Sequence, residues 1–72
     1  MKITDLKIKD KAWIKEIRCN KNLCIHLMEL GLVKDTLIKV IRKTKYLITI
    51  RYRNIDIVLT SDIGDLIDCA YW

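Results

Sequence analysis

The 72-residue sequence contains no proline, only two glycines and a single histidine. Without proline-rich or glycine-rich stretches it holds no linker, and nothing in it is repetitive. Its longest uninterrupted apolar run is about four residues, where a membrane helix needs about 20. The N-terminal residues 1–11, MKITDLKIKDK, carry charge through what would be the apolar part of a secretory signal. A cytoplasmic location follows as the expectation. There is no glycine-rich phosphate loop, no Cys-x-x-Cys and no His-x-x-x-His. Cys19, Cys24 and Cys69 make an odd number. One disulfide is open to them, but reduced thiols suit a chain with no leader.

What the chain does have is apolar and charged residues in quantity, 51% and 32%. Globular scaling gives roughly 12,000 Å² of extended surface and about 4,700 Å² folded. That is enough for one small core, so residues 1–72 are expected to form a single domain, and a multi-domain enzyme with a buried cleft is excluded by size. The 14 Lys and Arg outnumber the 9 Asp and Glu, for a net charge of +5. The excess is uneven. Lys39, Arg42, Lys43, Lys45, Arg51 and Arg53 are uninterrupted by any acid, whereas residues 54–72 hold Asp56, Asp62, Asp65 and Asp68 and no base. A segment so basic attracts an acidic protein face, a phosphate backbone or an anionic leaflet, or simply forms the solvated side of a hairpin.

Residues 11–18 alternate in part. Ala12 and Ile14 share a face, and a bulge near Lys15 and Glu16 would return Ile17 to it. In residues 21–30, Leu23, Leu27 and Leu30 recur at helical spacing, with Met28 widening the stripe. Asn20 or Asn22 can cap the first amides, and Gly31 suits the left-handed position after the last turn, from which Leu32 could fold back. Residues 36–43 and 46–53 are two β-rich runs with Ile38, Val40, Ile48, Ile50 and Tyr52 facing one way, joined at Thr44 and Lys45. Residues 55–59 make the next strand after a turn at Asn54. Thr60 or Ser61 caps one helical turn, and Ile67 and Cys69 alternate in a closing strand. The fold class is therefore all-β with one inserted helix. Five short strands in so small a chain curl into a partly open barrel.

The segment His26-Leu-Met-Glu-Leu-Gly-Leu32, followed by Thr36-Leu-Ile-Lys-Val-Ile-Arg42, resembles the FeoA family of bacterial ferrous-iron uptake systems. The likeness runs over nearly the whole chain, with Leu6, Ala12, Ile14, Ile17, Ile57, Leu59, Ile67 and Cys69 at matching core positions. It implies an SH3-like barrel, no catalytic residues, and docking on the cytosolic part of a ferrous-iron permease that carries a GTPase domain. Departures are local. His26 stands where an Arg is usual, Lys34-Asp35 where Pro-Gly is usual, Asn54 where a Gly is usual, and Gly64 where an Ala is usual. Asp and Asn can occupy turns that Gly often fills.

The residues themselves offer little chemistry. Cys24 and His26 carry metal-ligating side chains, yet two residues apart on a helix they diverge by about 200°. An adventitious transition metal is the most they support, and no cofactor is expected. Enzyme activity is not expected either, since a lone His has no orienting partners. The expected core is Leu6, Ala12, Ile14, Ile17, Leu23, Leu27, Leu30, Ile38, Val40, Ile48, Ile50, Ile57, Leu59, Ile67 and Cys69. The candidate partner-binding residues are Glu29, Leu30, Gly31, Leu32 and Val33 at the helix end, with Lys39, Arg42, Lys43, Arg51 and Arg53 on the basic hairpin. Two other readings stay open. Tyr46 and Tyr52 beside Arg51 and Arg53 could stack bases of a nucleic acid, or the domain could pair with itself through an edge strand into a homo-oligomer.

Overall fold

In the computed structural model, which describes all of residues 1–72, a 3-10 turn at Ile3–Asp5 opens the chain. Strand β1 (Lys11–Ile17), helix α1 (Lys21–Glu29) and strands β2 (Leu37–Lys43), β3 (Leu47–Tyr52) and β4 (Ile55–Thr60) follow. A single turn, α2 (Ser61–Gly64), leads into β5 (Ile67–Tyr71). The strands form one antiparallel sheet in the order β4-β3-β2-β1-β5. This is the expected all-β architecture with one helix inserted after the first strand.

Alternation decides which side chains enter the core. Ala12 and Ile14 of β1, Ile38 and Val40 of β2, Ile48 and Ile50 of β3, Ile57 and Leu59 of β4, and Ile67 and Cys69 of β5 are all buried. The register of β1 against β5 shifts between Ile14 and Glu16, the bulge that the broken parity of Ile17 calls for. Ile17 then packs against the core. Between β3 and β4, Arg53 and Asn54 both take positive φ, 50° and 67°, as a two-residue hairpin turn requires. Asp35, in place of the family's usual Gly, likewise sits at φ 69°.

Several expectations are corrected. The joint between β2 and β3 spans residues 44–46, not Thr44 and Lys45 alone. Thr44 Oγ1 accepts from the N–H of Tyr46 and of Leu47, supplying the turn with a side-chain acceptor in place of Asn-Gly chemistry. Leu23 is only half-buried and Leu30 is exposed, so α1 gives the core less than the full stripe expected of it. Leu27 is its one buried residue. The reason lies at the helix end. Gly31 (φ 91°) closes a Schellman turn in which Gly31 N–H bonds Met28 O and Leu32 N–H bonds Leu27 O, both at 2.9 Å. The chain therefore exits inward at Leu32, which is buried with Leu27, while Leu30 stays in solvent. Ile3, from the N-terminal 3-10 turn, is a further buried residue with no periodicity to announce it.

Asn20 caps α1, its Oδ1 accepting from Leu23 N–H at 2.8 Å. Cys19 and Cys24 bracket that cap and are joined in a disulfide, against the expectation of reduced thiols. One residue precedes the cap and the other lies in the first helical turn, which brings their Cα atoms to 5.7 Å, inside the range a bridge needs. Cys69 stays a free, buried thiol whose pKa is raised by burial.

Candidate functional site

The two surfaces singled out in the sequence meet in space. Gly31 follows the C-cap of α1, and the ring of Tyr52, the last residue of β3, lies against the bare Cα of that glycine. A Cβ at residue 31 would stand 2.6 Å from Tyr52 Cε1. Beside this contact lies an open cleft of about 510 Å³, lined by Val33, Lys34, Asp35, Thr36, Leu37, Tyr52 and Arg53. Val33 is an exposed apolar residue of its lining, Leu30 is exposed at the end of α1, and Ile55, opposite Tyr52 in register, is exposed at the start of β4. Arg53 sets its guanidinium 5.4 Å from the centre of the Tyr52 ring, a cation–π distance. Apolar groups are thus edged by cations on a concave surface, the composition of a protein-binding face.

Register extends the positive charge beyond the basic segment. Lys11 of β1 stands opposite Lys39 of β2, and Lys39 stands opposite Arg51 of β3. Three cations lie in one row across three strands, where like charges opposite one another are destabilising. Lys11 belongs to a distant part of the chain, and only strand pairing reveals it as a member. Its ammonium lies 4.7 Å from the centre of the exposed Trp72 ring. A second, smaller cleft of about 220 Å³ includes Lys11, Lys39, Arg51 and Arg53 in its lining.

The candidate residues divide accordingly. Val33 is exposed in the cleft lining, Glu29 and Leu30 are exposed at the end of α1, and Gly31 abuts the Tyr52 ring that forms part of the wall. Leu32 is buried and can present nothing to a partner, because the Schellman turn carries it inward. Lys39, Arg51 and Arg53 share the cationic face. Arg51 is tied to Asp56 on β4 through Nε to Oδ1 at 2.8 Å and Nη2 to Oδ2 at 3.3 Å. That bond raises the Arg51 pKa and holds the Asp56 carboxyl below its usual range. Lys43 is drawn away: its ammonium donates to the carbonyls of Thr4 and Leu6, at 2.9 Å for the latter, and so fastens the N-terminal 3-10 turn. Arg42 stands opposite Thr49, past a register shift from the Lys39–Arg51 pair. Tyr46 lies in the β2–β3 loop and Tyr52 at the far end of β3, roughly 20 Å along a strand, so the two rings form no continuous stacking strip.

His26 is exposed on α1, and Cys24 has its sulfur in the disulfide. No three His, Cys, Asp or Glu side chains gather as a metal cage. The late acids have structural partners: Thr4 Oγ1 donates to Asp65, and Arg18 forms an ion pair with Asp68. No helix is long and apolar enough to cross a membrane.

Comparison with known proteins bears on this geometry directly. No curated protein matches the chain. The solution structure of the FeoA protein from Chlorobium tepidum superposes with a TM-score of 0.91 at 23% identity, covering 99% of this chain and 70% of that one. The crystal structure of an iron uptake regulatory protein (FeoA) gives 0.92 at 15% identity, covering 100% and 97%. Iron(II) transport protein A from Clostridium thermocellum gives 0.91 at 25% identity, covering 99% of this chain and 45% of that chain. These likenesses establish the SH3-like fold. A family model for the FeoA domain matches residues 1–70, nearly the entire sequence, and the chain therefore belongs to the FeoA family, which is linked to ferrous-iron transport.

Proposed function

We propose that the protein is a non-enzymatic accessory component of bacterial ferrous-iron uptake that docks on the cytosolic part of the Fe(II) permease. The supporting observation is the Gly31–Tyr52 contact, which sets the exposed end of α1 against the end of β3, beside a cleft whose lining residues Leu37 and Arg53 also border the cationic cleft of Lys39 and Arg51. Leu30, Val33 and Ile55 would supply desolvated area, and Lys39 and Arg53 would meet carboxylates at the rim. Iron in this reading is the cargo of the partner, and any GTP hydrolysis belongs to the partner as well. The family membership and the cytosolic setting that it implies support the choice of partner.

The test is a binding titration with the soluble domain of the cognate permease. Micromolar binding that weakens with added salt, and that Arg53→Glu or Val33→Glu reduces at least tenfold, a change of about 1.4 kcal/mol, supports the reading. Absence of binding at low salt with the unaltered chain overturns it.

A further inference from the structure

The two edges of the sheet are finished differently. Along β5 the N-terminus provides cover. Met1 N donates to Cys69 O at 3.2 Å, Cys69 N–H donates to Met1 O at 2.6 Å, and Lys2 bridges to Asp68. No segment runs beside β4, the other end of the strand order. β4 pairs with β3 without a break, from Leu47 opposite Thr60 to Tyr52 opposite Ile55. The two-residue turn at Arg53 and Asn54 makes Tyr52 and Ile55 a hydrogen-bonded pair. The antiparallel ladder alternates from there. Ile55, Ile57 and Leu59 turn their backbone groups toward β3, and Asp56 and Val58 turn theirs outward. Of the 20 backbone bonds made outside regular helices and strands, none involves Asp56 or Val58.

Natural edge strands are usually blunted by Lys, Pro, a bulge or an inward charge. The strand Ile55–Thr60 has none of these. Its one charge is Asp56, already bonded to Arg51. It is a six-residue run of Ile, Val, Leu and Thr around a single acid, the composition that favours strand-to-strand association. Ile55 and Val58 are more than half exposed, at 57% and 60%.

We infer that β4 is a strand-pairing site and that its occupant is β4 of a second copy, antiparallel across a two-fold axis. With the axis at Ile57, Asp56 of each copy lies opposite Val58 of the other. Both residues offer a free N–H and a free C=O, so both ladder bonds form at each of these two pairings. The register is self-complementary. Asp56 faces Val58 rather than another acid, and its own Arg51 stands behind it. Lys39 and Lys11 lie two and three strands away from the joint, on β2 and β1, so the cationic row is not brought against itself. The sheets of the two copies become one, continuous through β4.

The test is sedimentation velocity of the unaltered chain from micromolar to millimolar concentration, with amide hydrogen exchange read at Asp56 and Val58. A monomer–dimer equilibrium is expected, with protection of both amides rising with concentration. Added salt should leave the dimer unchanged or strengthen it, because each copy carries +5. Val58→Pro removes an outward N–H that β3 does not use, and Val58→Glu sets a second carboxylate opposite Asp56 of the other copy at both pairings. Each variant should sediment as a monomer, and Val58→Glu keeps the test open if the proline variant fails to fold. A chain monomeric at millimolar concentration overturns the inference. So does a dimer that survives both substitutions, or one in which the Asp56 and Val58 amides exchange freely. Protection of those amides only on adding the permease domain would assign the edge to a partner strand instead, and would leave the docking result above intact.

Discussion

Gly31 and Tyr52 are in direct contact, the tyrosine ring occupying the space that a side chain at residue 31 would fill. The glycine is needed twice over, for its φ of 91° and for this approach. Gly31→Ala should lower unfolding free energy by about 2–3 kcal/mol, combining left-handed strain of about 1–2 kcal/mol with displacement of the ring. Urea denaturation measures it. Adding Tyr52→Ala to Gly31→Ala should cost less than the two single losses summed, since the steric part vanishes and the backbone part remains.

Lys43 acts as an internal tether rather than a docking charge. Lys43→Met should destabilise the fold by about 1 kcal/mol, the order of one net hydrogen bond at a partly exposed site. Amide exchange should quicken at residues 3–6 before it changes in β3. Arg42→Met, one residue away and without such partners, should fall within about 0.5 kcal/mol of the parent.

The disulfide and the Asn20 cap hold the start of a helix whose only buried side chain is Leu27. Reduction of Cys19–Cys24 should therefore loosen α1 selectively. Chain-entropy reasoning gives about 2 kcal/mol for so short a loop. Exchange protection in α1 should drop while the β2–β3–β4 amides keep theirs. Asn20→Ala should act at the same place, at about 1 kcal/mol. A uniform loss across the sheet would refute this division.

Asp56 titrates below the ordinary carboxylate range, because Arg51 donates to its charged form. A depressed folded pKa means that its contribution to stability is complete above the unfolded value and disappears as pH falls through the folded one. The acid limb of stability should thus include a step from Asp56 below pH 3.8. Carboxyl chemical shifts read the titration directly, and Arg51→Gln should return Asp56 to the ordinary carboxylate range.

Cys69 should be inert to thiol reagents in the native state. It is 3% exposed, and burial raises its pKa, which starves it of thiolate. In denaturant without reductant, a single thiol per chain should react. Two further reactive thiols in the native protein would contradict the Cys19–Cys24 pairing.

Much of this fold is legible in one dimension wherever a side chain's place depends on near neighbours. The β-bulge follows from the parity break at Ile17, the Asn20 cap from its position before the leucine stripe, and the left-handed turn from Asn54. Positions set by distant chain are not legible. Whether Leu30 or Leu32 enters the core depends on the direction in which the Gly31 turn releases the chain, and the helical stripe, which includes Leu30 and leaves out Leu32, points to the wrong one. Lys43 looks like any other hairpin cation until the N-terminal carbonyls arrive beneath it. Lys11 joins the cationic row only through register with Lys39. The 19–24 disulfide depends on where the helix begins, and spacing alone does not choose it from the pairings of three cysteines.

The central placement of β1, between β2 and β5, sets an order of assembly. The β2–β3–β4 meander closes through loops of two and three residues and can form early. β1 emerges first from the ribosome yet gains its second neighbour last, when residues 67–71 arrive opposite Ala12, Ile14 and Ile17. Until then its backbone bonds to β5 and one flank of its apolar side chains remain open. A nascent chain stalled before Ile67 would hold a finished hairpin unit and an unfinished barrel.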